Sequence, residues 1–207
     1  MKQRSHIVFS LLISLFWISS GLAQSLDEGV AAYQHKDYAK ALRIFEAAGL
    51  NGNAEAQHNA GYMYRVGEGT KEDLAKAMAW YARAAERGFA PSQFNLGVMY
   101  GEGEGVKADP EAALTWFRKS AAQGYVDAQL KLAEIALAND NKKEAFFWYK
   151  KAADNGDANA IFNVASFYYK GFGVAKDQAK AVEYYRKARD AGQPGAASIL
   201  KQLGVEN

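Results

Sequence analysis

Residues 54–89 and 90–125 align without a gap at an offset of 36. A fixed period of this length decides the architecture before any local motif is weighed, because each copy must form the same small unit and the units must stack. Gly61 meets Gly97, Tyr64 meets Tyr100, and Gly67 and Gly69 meet Gly103 and Gly105. Asp73 meets Asp109, Ala77 meets Ala113, Trp80 meets Trp116, and Gly88 meets Gly124. A further copy over 126–157 lacks four residues between its helices, and another over 158–193 restores them. Residues 26–53 fit the shorter form, and 194–204 reads as one closing helix. The sequence therefore predicts five helix pairs and a cap.

Each copy carries the signals of two amphipathic helices. In 90–125 the first runs from about Pro91 to Tyr100, with Leu96, Gly97 and Tyr100 at helical spacing. The second has Asp109 as N-cap and Pro110 at its first position, and continues through Ala113, Trp116, Phe117 and Ala121 on one face. Basic residues crowd its last turns, as in Arg118-Lys119, Lys150-Lys151 and Arg186-Lys187, where they oppose the helix dipole. Such helices cannot bury their apolar faces alone, but stacked pairs share one core.

The stretch YGEGEGVKAD at 100–109 has the look of a phosphate loop, with glycines at alternate positions and a lysine after them. A phosphate loop needs a strand before it and a helix after it. Here the same glycines recur as YRVGEGTKED and YYKGFGVAKD between two helices, so they read as a helix stop and a turn into the next N-cap.

Residues 1–23 have the layout of a secretory signal peptide: Lys2 and Arg4, an apolar run from Ile7 to Ile18, and small Gly21 and Ala23 before a cleavage point. Export to the periplasm or the medium is expected, with 24–207 forming a single repeat domain. Of 25 basic residues two lie in that leader, which leaves 23 against 23 acids. A balanced charge argues against nucleic acid as a partner, and no later segment reaches the roughly 20 apolar residues of a membrane span. With no cysteine, disulfides, thiolate nucleophiles and cysteine metal sites are excluded.

The units AxAQxxLGxMYxxGxGVxxDxxxAxxWFRKSAAxGY closely resemble the Sel-1-like repeat, and GVAAYQHKDYAKALRIFEAA resembles the related tetratricopeptide repeat. The resemblance covers essentially all of the chain after the leader. It implies an all-α fold, a right-handed α/α superhelix (solenoid) whose first helices line a concave face. It implies a scaffold that holds a protein or peptide partner in the cell envelope, without catalysis. Two other roles stay open: binding or hydrolysing cell-wall fragments or β-lactams, and restraining a sensor kinase or envelope machine from the periplasm. Family members described as β-lactamase-like are cysteine-rich, unlike this chain.

No metal or cofactor site is expected, since after the leader only His35 and His58 remain, in different copies. Candidate binding residues are those of the first helices that the core does not claim. Asn59, Asn95, Lys131 and Asn163 occupy one equivalent position, with His58, Phe94 and Phe162 beside it. Tyr62, Val98, Glu134 and Ser166 follow a turn later. An asparagine ladder has the donors and acceptors to hold a peptide backbone or terminal carboxylate. The same residues also serve as ordinary repeat positions bonded to a neighbouring helix, and both readings stand at this point.

Overall fold

The computed structural model describes residues 26–205, so the expected signal peptide lies outside the described residues. Within them the chain forms eleven helices and no strand. They are α1 (26–34), α2 (Tyr38–Leu50), α3 (Ala54–Val66), α4 (Leu74–Glu86), α5 (Ala90–Glu102), α6 (Pro110–Ala122), α7 (Val126–Ala138), α8 (Lys142–Asp154), α9 (Ala158–Lys170), α10 (Gln178–Asp190) and α11 (Pro194–Gln202). The chain divides into two compact units, one ending at Asp109 and the other starting at Pro110. In each, the heaviest packing joins helices adjacent in sequence, as expected of stacked repeats.

The motif residues have separate mechanical duties. Asp37, Asp73, Asn141 and Asp177 accept a hydrogen bond from the amide three residues on and so start the second helices. In the long-loop copies the amides of Asp73, Asp109 and Asp177 also donate to the carbonyls of Tyr64, Tyr100 and Tyr168, at 2.9, 2.8 and 3.0 Å, closing the loop on the first helix. The first loop glycine ends that helix in the left-handed region, with φ of 74° at Gly67 and 75° at Gly103. The second glycine answers to a neighbour. A side chain on Gly69 would meet the backbone of Tyr38, the first residue of α2, and one on Gly105 would meet Leu74, the first residue of α4. Gly173 stands likewise against Lys142, the first residue of α8. The loop of each long copy is thus seated on the preceding repeat.

The cores are rich in alanine, because small residues let helices approach closely. Ala41, Ala77, Ala145 and Ala181 are all fully buried at one equivalent position. Aromatic residues fill the remaining space. Trp80 is buried, Trp116 and Trp148 are partly exposed, and Tyr81 is enclosed with its ring against Gly61.

Candidate functional site

The first helices of the first unit frame a cavity of about 300 Å³, lined by Val30 and Tyr33 of α1, Phe45 of α2, and Glu55, Asn59, Tyr62 and Met63 of α3. Val30 lies on α1, and Asn59 and Tyr62 lie three residues apart on α3, beside faces that the core claims. Tyr62 is 41% exposed, so an aromatic wall of the cavity meets solvent. Phe45 and Met63 form its apolar side and Glu55 adds a carboxylate at the exposed start of α3. The combination of aromatic, aliphatic, amide and acid suits a side chain or short segment of another polypeptide.

Two contacts between successive repeats border this face. Tyr33 donates to Glu68 Oε2 at 2.6 Å, and the carboxylate raises the phenol's pKa. Arg65 gives a two-pronged pair to Glu104, with Nε–Oε2 at 2.7 Å and Nη2–Oε1 at 2.8 Å. The guanidinium holds the Glu104 carboxyl below the usual range. Tyr33 and Arg65 are equivalent positions, as are Glu68 and Glu104, so a residue at the end of one first helix reaches the glycine loop of the next repeat. The same two positions later hold Leu137 and Phe172, both 39% exposed. At Gly101, the equivalent position preceding the copy without the loop, there is no side chain.

His58 is placed differently from its neighbour Asn59. Its Nδ1 lies 2.9 Å from Ser92 Oγ, and its ring packs on Tyr81 and Phe89 with centroids 5.4 and 5.3 Å apart. Burial lowers its pKa to about 4. It belongs to the seam between repeats. Phe94, Asn95 and Val98 are each half-buried on α5. Asn95 approaches the Tyr81 hydroxyl without reaching hydrogen-bond geometry, and that buried hydroxyl has no partner. Tyr81→Phe should therefore leave stability within about 1 kcal/mol of wild type or raise it, since it removes an unsatisfied group and keeps the ring. Phe45 and Phe117 already stand at the equivalent position. Thermal unfolding of the variant checks this, and a loss above about 2 kcal/mol would show that the hydroxyl is bonded.

In the second unit the corresponding positions satisfy one another. Lys131 and Glu134 form an exposed pair at 3.3 Å, one turn apart on α7. Ser166 Oγ donates to the Phe162 carbonyl at 3.1 Å and lies 3.1 Å from the Tyr185 hydroxyl. Phe162 packs edge-on against Tyr185 at 5.2 Å, and Asn163 is half-buried beside it. The cavity of the first unit has lining side chains still open to a ligand, whereas these polar groups are largely engaged. Sequence reasoning passed over Val30, Tyr33 and Glu55. The signal for them was present in the shorter first copy, where Val30 is the equivalent of Tyr62.

Among the described residues no group of three His, Asp or Glu is placed to hold a metal ion, and no helix is long and apolar enough to cross a membrane. The string Ser198-Ile199-Leu200-Lys201 has the SxxK spacing of penicillin-recognising serine enzymes. On α11 its serine and lysine are exposed on either side of the buried Leu200, and the companion SDN and KTG motifs are missing from the sequence.

The Sel1 repeat model matches residues 21–53, 54–89, 90–125, 126–157 and 158–193. The chain belongs to the Sel1 repeat family. Sel1 repeat proteins generally mediate protein–protein interaction and are generally non-catalytic. The Sel1 repeat protein of Oxalobacter formigenes has a similar structure, with TM-score 0.75 and 36% identity over 86% of this chain and 76% of that one. A protective antigen of uropathogenic Escherichia coli, displaying the Sel1-like repeat fold, gives TM-score 0.79 and 30% identity over 89% of this chain and 42% of that one. These likenesses establish the all-α solenoid class for this Sel1 chain. An ERAD-associated E3 ubiquitin-protein ligase component of Arabidopsis thaliana is 36% identical over 52 residues, a stretch spanning 25% of this chain and 8% of that protein.

Proposed function

We propose that this Sel1 repeat protein is an exported, non-catalytic scaffold that grips a segment of a protein partner over the cavity between α1 and α3. The observation that carries the reading is that cavity, with Tyr62 exposed at its wall and Asn59 and Glu55 free to bond a polypeptide. Family membership supports a protein as the partner, and the layout of residues 1–23 supports export.

A photo-crosslinking residue at position 62 should trap one polypeptide in intact cells, whereas the same group at Phe147, 49% exposed in the other unit, should not. Asn59→Ala with Tyr62→Ala should weaken capture of that polypeptide at least about tenfold while the helical circular dichroism is kept, as expected for a central anchor. Equal trapping from both positions would sink the assignment. N-terminal sequencing of the protein from the periplasmic fraction should begin at Gln24; retention of residues 1–23 in the cytosolic fraction would exclude export.

A further inference from the structure

A second cavity, of about 340 Å³, lies at the other side of α3 and is lined by Gly49, Leu50, Gln57, Arg83, Glu86 and Arg87. Gln57 and Asn59 are two residues apart on one helix, which turns them about 200° from each other, so this cavity and the one above face different ways.

Its chemistry emerges from comparing copies. Gln57, Gln93 and Gln129 are equivalent, and each is buried with Nε2 donating to a carbonyl at the end of the preceding second helix. At Gln129 the other end is also satisfied: Asn155 Nδ2 donates to its Oε1 at 3.0 Å and reaches the Gly124 carbonyl at 3.3 Å. The residue equivalent to Asn155 in the copy of Gln57 is Arg87. Its guanidinium lies against Gly52, where a Cβ would stand 3.1 Å from Nη2, and it makes no bond to Gln57. Gln57, which lines the cavity, is 3% exposed, and its Oε1 is a buried acceptor without a partner. Leaving such an atom unsatisfied is unfavourable, and a ligand donor there gains what the fold does not supply.

Two cations line the same cavity. Neither Arg83 nor Arg87 pairs with an acid among the described residues, although Arg83 stacks on Trp80 at 4.7 Å. Glu86 on the rim leaves the cavity with one net positive charge. Beside them Leu50 is 70% exposed, an apolar side chain with nothing over it. We propose that this cavity binds the C-terminal residue of a peptide: its N–H donates to Gln57 Oε1, its carboxylate lies between Arg83 and Arg87, and its side chain covers Leu50. These three groups radiate from a single Cα, which matches a donor, an anion and an apolar group required within one cavity.

The test is calorimetry on the purified protein with acetyl-Ala-Ala-Leu as free acid, the same peptide as C-terminal amide, and acetyl-leucine as competitor. The acid should bind and the amide should bind at least tenfold more weakly. Acetyl-leucine, which carries all three groups with no further peptide, should displace the acid. Arg87→Asn installs the arrangement seen at Gln129, so it should abolish binding while the melting temperature holds or rises. Arg83→Gln should weaken binding several-fold and guards against a local effect of the first variant. Equal affinity for acid and amide, no affinity for the acid, or unchanged binding in Arg87→Asn would overturn the proposal. Asn59→Ala with Tyr62→Ala should leave this binding intact, which separates it from the scaffold reading.

Discussion

Gly69→Ala should destabilise the protein by about 3 kcal/mol or more, while Gly88→Ala, in the same repeat, should cost only about 1–2 kcal/mol. Both glycines have positive φ, 76° and 86°, so alanine is strained at either place. The difference is what the new methyl meets. At Gly88 nothing lies within 4 Å. At Gly69 the Cβ would stand 2.5 Å from the Tyr38 carbonyl oxygen and 2.6 Å from its carbon, well inside van der Waals contact. The obstacle is backbone at the first turn of α2, which cannot rotate away as a side chain does. The loop must lift off the preceding repeat, and the Tyr33–Glu68 bond beside it is then strained too. Since the stack is held by contacts between neighbours, loss of one seat separates α1 and α2 from the repeat that follows. Urea unfolding of the two variants checks this, and equal losses would mean that the loop is not held against α2. Gly105 and Gly173, seated on α4 and α8, should respond in the same direction.

That ranking explains why the fold was legible from sequence and the candidate site less so. Loop glycines, cap aspartates and core alanines each answer a local demand that recurs in every copy, so comparison of copies gave the units 54–89, 90–125, 126–157 and 158–193, which are also the matched repeats. The direction of a first-helix side chain is not a local matter. His58 and Asn59 are adjacent, yet His58 turns into the seam toward Ser92 and Asn59 into the cavity. An apolar or aromatic residue at the first position, as in Phe94, Leu130 and Phe162, was the available hint that it belongs to packing. Arg65 and Glu104 are 39 residues apart, and nothing in either local stretch pairs them. Only the exchange between copies does: Tyr33 with Glu68, Arg65 with Glu104, and Leu137 with Phe172 change character together. Gln57 illustrates the remaining gap, because its motif is shared by three copies and only the residue that caps it differs.

His58 should make the protein lose stability between pH 6.5 and 4 beyond what its carboxylates account for. Burial lowers its pKa from 6.5 to about 4, and its contacts with Ser92, Tyr81 and Phe89 carry no charge to favour the imidazolium. Above pH 6.5 the folded and unfolded chains both hold neutral imidazole, so the full contribution is present. As pH falls through the window the unfolded chain takes up a proton that the folded one refuses, and stability drops. The full shift corresponds to about 3 kcal/mol, and partial exposure of the half-buried ring to solvent reduces this to about 2 kcal/mol. His58→Phe puts there the residue that the chain itself uses at Phe94 and Phe162, preserving the packing and removing the proton. Urea unfolding at pH 7.5 and 4.5 should show a drop about 2 kcal/mol smaller for the variant, with the acids contributing equally to both proteins. Parallel drops in the two proteins would place His58 in water and dissolve the seam between α3 and the start of α5. A smaller drop in the variant would show that the residue beside Asn59 packs between repeats.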